Sequence, residues 1–390
     1  MQKFTQSPTN PDFVQNPYPF YDRARATGDL FHWTDYGMAC AVSHRAVHAL
    51  LRDKRLGRAV PPEFARPVLP HLAPFEAIEQ HSMLELEPPR HTRLRGLVLR
   101  AFTSRRIAAL GPDIRNLAQE LIDAFPKARP FDLLPAFCAP LPVRIIARLL
   151  GVPEDMAPQL LTWSNRMVAM YQASRTPEIE TRAAAAAQDF ADFMRGYIDQ
   201  RRSRPADDLI THLIAAEEQG EKLSTDEMIT TCILLLNAGH EATVHSLGNG
   251  VKCLLEHGMG RASLNPDTVE ELLRFDPPLH MFTRYVYENV TLFGHDFRRG
   301  DQIGLLLAAA NRDPARWSDP NRFDPTRTRH TQHGFGGGLH FCVGAPLARL
   351  ELDIALTTLF ERCPNLRLTN SPRYANAYHF HGLERLEVTT

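Results

Sequence analysis

Lysine is nearly missing from this 390-residue chain. Of 44 basic residues only five are Lys (3, 54, 127, 222 and 252) and 39 are Arg, set against 45 acidic residues, for a formal net charge of -1. No global field draws such a chain to nucleic acid or any other polyanion. The Arg excess fits codon usage as well as anion recognition, and codon usage is the simpler account. Paired cysteines are missing too. The six Cys stand at 40, 138, 232, 253, 342 and 363 with no C-x-x-C, which excludes a disulfide framework or a Cys-rich zinc site and predicts a reducing compartment. The N-terminal MQKFTQSPTNPDFVQNPYPFYD lacks the basic start and apolar run of a signal peptide. The most apolar stretch, Ile229 to Ala238, is far shorter than the ~20 residues that span a bilayer. A cytoplasmic protein with no membrane partner is predicted.

What is present, 44% hydrophobic and 23% charged residues, is the composition of a soluble globular protein with a sizeable core. Three-and-four spacing of apolar residues predicts helices over 90–102, 114–125, 142–150, 156–171, 181–202, 207–218, 225–256, 266–275 and 346–362. Short strands are predicted at 37–42, 285–292, 297–298, 302–306, 366–368 and 386–388. The fold class is therefore mainly α with small β-sheets. With no repeat period and no long linker, the expectation is one domain over residues 1–390. The 225–256 helix opens on a capping-box pattern, Ser224-x-x-Glu227, and is long enough to cross the protein. Its middle, Asn237-Ala-Gly-His-Glu241-Ala-Thr243, places polar groups and a Gly between apolar turns. A buried functional groove accounts for that better than a solvated face.

The segment Phe335-Gly-Gly-Gly-Leu-His340-Phe341-Cys342-Val343-Gly344-Ala345-Pro346-Leu347-Ala348-Arg349 delivers a Cys to the start of a helix. Gly336, Gly338 and Gly344 allow backbone shapes closed to other residues and close approach of a flat ligand. Pro346 suits a first turn, and the helix N-terminus favours a thiolate at Cys342. Neither G-x-G-x-x-G nor G-x-x-x-x-G-K-[ST] is present, so a phosphate loop is excluded on spacing.

With these residues the chain resembles the cytochrome P450 family of soluble bacterial haem-thiolate monooxygenases, whose signature F-G-x-G-x-H-x-C-x-G-x-x-L-A-R is complete here, and the likeness runs from Asn16-Pro-Tyr-Pro to the C-terminus. The resemblance implies the P450 fold, with the long helix crossing the haem, and no fused reductase. It implies haem b (iron protoporphyrin IX) bound through Cys342, within a loop that includes Phe335, Gly336 and Gly344. Glu271-Leu-Leu-Arg274 resembles the family's E-x-x-R and Arg327 its third member, a triad assigned to folding. His91, Arg95, Arg284 and His340 are assigned to the haem propionates, where Arg and His supply directional donors.

Glu241, Ala242 and Thr243 fall in the oxygen-binding part of the long helix. The family's acid is present as Glu241, but its usual Thr is Ala242, and Thr243 stands about 100° further round a regular helix. By position in the family, the substrate pocket is lined by Met83, Leu84, Met167, Met170, Asn237, Ala238, Leu279 to Phe282 and Tyr378 to Phe380, with Asn237, His280, Tyr378 and His379 as polar anchors. This set implies a small or medium, mainly apolar organic substrate, hydroxylated or dealkylated with O2. Electrons would come from a separate ferredoxin and an NAD(P)H-dependent ferredoxin reductase, with Arg93, Arg100, Arg105 and Arg106 as a docking patch. Two other functions stay open: a peroxide-driven oxygenase, motivated by Ala242, and a non-enzymatic haem sensor or ligand carrier, against which Glu241 speaks.

Overall fold

The computed structural model describes residues 1–127, 129–172, 175–218 and 223–390. Its longest element is the helix Thr225–Glu256, which begins where the capping box places it: Ser224 Oγ accepts from the Glu227 N–H at 3.1 Å and the Glu227 carboxylate accepts from the Ser224 N–H at 2.9 Å. Met228, Ile229, Cys232, Ile233 and Leu236 are buried on this helix, which packs against the helices Pro140–Leu150, Ala157–Val168, Pro177–Ser203 and Ala345–Arg362. The mid-helix Gly239 has a packing reason. A Cβ there would lie 2.5 Å from Ile146 Cδ1, so glycine leaves room for that side chain of the Pro140–Leu150 helix without a change of rotamer.

A six-stranded sheet lies beside the helices, in the spatial order Lys3–Phe4, Leu30–Trp33, Met38–Ala41, Gln302–Leu306, Met281–Val286, Leu56–Gly57. Gly304 sits at a close approach within this sheet, because a Cβ on it would meet Cys40 Sγ at 2.7 Å. The strand expected over 285–292 is instead two strands. Met281–Val286 enters the large sheet opposite Gln302–Leu306, while Val290–Leu292 pairs with His295–Phe297 through a turn in which Phe293 and Gly294 both have positive φ. Both pieces are rich in β-branched and aromatic residues with only Tyr287, Glu288 and Asn289 between them, which is why sequence pattern alone merges them. The helices Pro11–Gln15, Tyr18–Arg25, His44–Leu50, Ala73–Glu79 and Ser104–Ala109 were not anticipated, being too short for a clear 3.6-residue period.

One polar network fixes the chain ahead of the Cys342 loop. Arg274 Nε and Nη2 each donate to the Glu271 carboxylate at 2.7 Å, and both side chains are almost fully buried. Arg327 Nε donates to Glu271 Oε1 at 2.9 Å, so the three residues meet. The remaining guanidinium hydrogens are used on the backbone. Arg274 donates to the carbonyls of Asn311, Pro320 and Arg322, and Arg327 to those of Ser318 and Arg322. Thus a segment with little regular structure, residues 311–327, is held by two Arg side chains anchored on one carboxylate. Arg274→Ala takes the bidentate partner from a buried carboxylate, which keeps only Arg327 and the Asp324 N–H, and frees the Asn311 and Pro320 carbonyls, a loss of about 3 kcal/mol. Urea unfolding of the haem-loaded protein is the measurement, and a loss below about 1 kcal/mol would show that the network does not hold the segment.

Candidate active site

The loop before Cys342 is shaped by glycine. Gly336 and Gly338 have φ of 70° and 66°, and a Cβ on Gly338 would fall 2.1 Å from the Leu51 carbonyl oxygen. The loop closes on itself, with Gly336 N–H donating to His333 O at 2.8 Å and Cys342 N–H to Phe335 O at 3.1 Å. Helix Ala345–Arg362 starts directly afterwards, with Pro346 in its first turn. Burial pushes the Cys342 thiol up, against the pull of the Gly344 and Ala345 N–H groups and the Arg95 and Arg349 guanidiniums. The helix start alone therefore does not produce the thiolate expected from sequence. A metal cation at the sulfur would supply the missing stabilisation.

The residues around the loop fit a flat dianion with a metal centre. Arg284 is 3% exposed, donates to the Thr283 carbonyl at 2.8 Å, and has no carboxylate within ion-pair distance among the described residues. Burial, then the neighbouring Arg58, lowers it to about 10. His91 is buried with Nδ1 lacking any partner, and burial, then His340 and Arg95, pushes it down to about 4. The His91 and His340 rings lie 4.4 Å apart, and Arg95 Nη2 donates to Phe341 O at 2.6 Å. His340 Nε2 lies 3.0 Å from Glu87 Oε1. Four basic side chains thus converge with Glu87 as the carboxylate in contact, and an incoming pair of carboxylates suits the remainder. On the central helix Ala238 is exposed although Leu236 and His240 beside it are buried, so that face opens on a space rather than on packed side chains.

Glu241 occupies the same helix between two imidazoles, with His240 Nε2 3.2 Å from Oε2 and His245 Nε2 3.3 Å from Oε1. Burial raises its carboxyl, but the contacts with His240 and His245 outweigh that and hold it well below the usual carboxylate range. Thr243 is buried, and its Oγ1 donates to Gly239 O at 2.8 Å. Its hydroxyl proton is therefore bound to the helix's own backbone, and Ala242 beside it offers none.

Of the expected pocket residues, Met83, Met167 and Met170 are buried in the main helical core, where Asn237 Nδ2 reaches Met167 Sδ at 3.6 Å and Asn237 Oδ1 is left without a partner. Leu84 is half-buried and its carbonyl accepts from Arg58 Nε at 3.2 Å. Leu279 pairs with Phe380, and Phe282 lies against Gly336 of the Cys loop. Tyr378 and His280 belong elsewhere. Tyr21 OH bonds Tyr378 OH at 2.8 Å and His280 Nδ1 at 3.0 Å, and Tyr378 packs on Phe13 and Trp33 in the N-terminal aromatic core. The Tyr378 hydroxyl is satisfied there, which takes it out of the pocket, while His280 is fully buried in the same core with Nε2 unpartnered among the described residues. His379, by contrast, lies 6.4 Å from the Tyr171 ring and is pushed down to about 4 by burial and then Arg58.

Sequence reasoning missed Glu87, His245 and the group Glu79, Tyr171, Arg58 and Glu85. Tyr171 OH donates to Glu79 Oε2 at 2.9 Å, and Arg58 pairs with Glu85. Of these, His245 alone carried a local signal, its i+4 spacing from Glu241. The Arg patch changes as well. Arg93 pairs with Glu227, and Arg106 with Asp207 at 3.0 Å, so these charges are locally compensated.

Comparison with known proteins places this geometry. The family model for cytochrome P450 matches residues 25–258 and 263–369. Cytochrome P450 monooxygenase PikC of Streptomyces venezuelae is 38% identical over 375 residues, 93% of this chain and 87% of that protein. The biotin biosynthesis cytochrome P450 of Bacillus subtilis is 34% identical over 98% of both chains. Among solved structures, P450BioI in complex with acyl carrier protein ligated to hexadec-9Z-enoic acid superposes with a TM-score of 0.90 at 33% identity, covering 97% of this chain and 99% of that one. No described helix is long and apolar enough to cross a membrane. The chain belongs to the cytochrome P450 family of haem-thiolate monooxygenases.

Proposed function

We propose that the protein is a monooxygenase built on haem b, whose iron would be held by the Cys342 thiolate and whose propionates would be held by the His91, Arg95, Arg284 and His340 side chains. The observation that carries this reading is Arg284, a buried guanidinium with no carboxylate partner, within the same basic cluster as the loop that presents Cys342. Haem, when bound, supplies the reductive activation of O2. The chain's own residues do the rest. Gly344 and Ala345 N–H groups and Arg95 stabilise the sulfur's negative charge, while Glu241 is the ionised group on the open face of the central helix. Electrons are assigned to a separate ferredoxin and an NAD(P)H-dependent reductase, in the cytoplasm.

The substrate is proposed to be a small or medium, mainly apolar molecule with one polar end. Met83, Met167, Phe282 and Phe380 supply apolar surface, and Glu79, Tyr171, Arg58 and His379 a polar group at its edge. A fatty acyl chain, as in the P450BioI complex, has this character. Hydroxylation or oxidative dealkylation are the reactions this geometry serves. A peroxide-driven reaction is the second reading, favoured by Ala242 and by the Thr243 hydroxyl being tied to Gly239.

Cys342→Ala abolishes the red-shifted Soret band of the reduced, CO-bound protein. Arg284→Ala keeps the band but lowers haem occupancy after gel filtration, and unchanged occupancy would remove Arg284 from the propionate set. At the distal side, Thr243→Ala changes product per reduced cofactor by less than about twofold, whereas Glu241→Gln lowers it by about tenfold or more. Diversion of most reducing equivalents into hydrogen peroxide by Thr243→Ala would identify its hydroxyl as the proton donor. Efficient product formation with added hydrogen peroxide and none with ferredoxin would select the second reading.

Burial, then Glu85, pushes the Glu79 carboxyl from 4.5 up to about 8. The folded protein thus keeps this proton where the unfolded chain has lost it, and stability falls as pH rises between these values. Glu79→Gln keeps an acceptor for Tyr171 and removes the titration. Its thermal midpoint should therefore gain on the wild type steadily from pH 5 to pH 8, and parallel profiles would show an ordinary carboxyl.

A further inference from the structure

Three histidines meet at a place the haem site does not use. His44 and His48 stand one turn apart on the helix His44–Leu50, which Ser43 caps, and His333 comes from the segment leading into the Cys342 loop. One nitrogen from each lies within 4.8 Å of the other two. The ring centroids are 4.7 Å apart for His44 and His333, 5.4 Å for His48 and His333, and 5.8 Å for His44 and His48. His333 is fully buried, yet among the described residues neither of its ring nitrogens has a well-formed hydrogen bond, the Gly336 backbone being a polar neighbour, and the buried Nδ1 of His48 has no partner either. Simple ring packing accounts for the stacking but leaves those three polar atoms unsatisfied, which folded proteins avoid.

We propose that His44, His48 and His333 bind one divalent first-row transition-metal ion of the zinc, cobalt, nickel or copper class. Imidazole nitrogen suits these cations, whereas calcium and magnesium require oxygen ligands that the cluster lacks. A tetrahedral ion with bonds of 2.0–2.1 Å needs nitrogens about 3.3 Å apart, so side-chain rotation through little more than an ångström closes the set. His44 Nε2 lies 2.9 Å from the carbonyl of Thr331, which only accepts, so the lone pair of that ring is at Nδ1. Such a carbonyl partner is the usual device for orienting a ligating imidazole. Burial holds all three rings below the ordinary histidine value, His333 at about 3, which keeps them in the neutral form that ligates. Arg52 and Arg316 oppose a cation here, and Asp313, which accepts from the His44 N–H at 2.7 Å, compensates one of them.

His44 also lines a surface cleft together with Asp29, Asp313 and Arg316. An ion at this place joins the His44–Leu50 helix to the segment whose His333 carbonyl accepts from Gly336 N–H, and so stiffens the loop that carries Cys342.

The test uses the untagged, haem-loaded protein, stripped with a chelator and titrated calorimetrically with zinc chloride at micromolar concentration. Metal content is read after gel filtration, relative to haem iron. About one zinc per haem is expected, with a raised thermal midpoint. His44→Ala and His48→Ala, both at partly exposed positions, should each lose the ion and the rise in midpoint while keeping the CO-bound spectrum. His212→Ala, on another surface, should keep them. Should either site variant fold poorly, His48→Gln with the same readout decides. Absence of zinc from the wild type, or zinc retained by both site variants, overturns the proposal.

Discussion

The Glu271–Arg274 pair is the interaction on which the Cys342 loop depends. Two charges are removed from water on the helix Pro266–Phe275, and a lone pair of this kind is often no more stable than apolar residues of the same volume. Here the ions have further partners: Arg327 and the Asp324 N–H on the carboxylate, and three backbone carbonyls on Arg274. The carbonyls belong to a segment with few regular hydrogen bonds of its own. The network therefore replaces the ladder a strand or helix would have supplied, and fixes the path from Asn311 to the loop. Asn311 continues the chain of contacts, since its Oδ1 accepts from the His333 N–H at 2.6 Å and the His333 carbonyl in turn accepts from Gly336.

From there the site is built on charges left without partners. Arg284 is buried with no carboxylate at ion-pair distance among the described residues, His91 is buried with Nδ1 unpartnered, and the Cys342 sulfur is held in surroundings that raise its pKa. Unpaired polar groups of this sort cost about 1–3 kcal/mol each. The same groups become favourable when a cation meets the sulfur and carboxylates meet the bases. Binding of the cofactor and stability of the fold are thereby linked, and the loop glycines matter because they bring backbone, not side chain, to the ligand's face.

Features specified by neighbouring residues were legible in the sequence. The capping box gave the start of the Thr225–Glu256 helix and apolar periodicity its extent, and the glycine–cysteine spacing gave the loop. Features that depend on which segments meet were not. Gly239 read as an inconsistency until Ile146 was seen against it, and the break between Val286 and Val290 is set by strand pairing that alternation cannot reveal. Tyr378 read as a pocket residue because its neighbours His379 and Phe380 lie near Tyr171 and Leu279. It turns instead to Tyr21, more than 350 residues away in sequence. Glu87 reaches His340, and Glu79 reaches Tyr171, across separations that leave no local trace.

The centre of the long helix shows how a single position redirects proton chemistry. A hydroxyl at residue 242 would stand on the face that Ala238 leaves open, one turn away, as i and i+4 positions do on a helix. Moved one residue on, to Thr243, the hydroxyl lies about 100° away and finds the Gly239 carbonyl, satisfying itself within the helix. Glu241 is then the group on this helix with protonic reach. Its flanking imidazoles favour the ionised form, so it is a weak base that holds a proton only briefly and acts mainly by accepting hydrogen bonds. An ionised carboxylate orients water well, and water or a hydroxyl on the substrate can carry the proton across the gap that Ala242 leaves. On this geometry the substrate's own polar groups enter the proton path, and the fit of the substrate and the efficiency of oxygen use become one property.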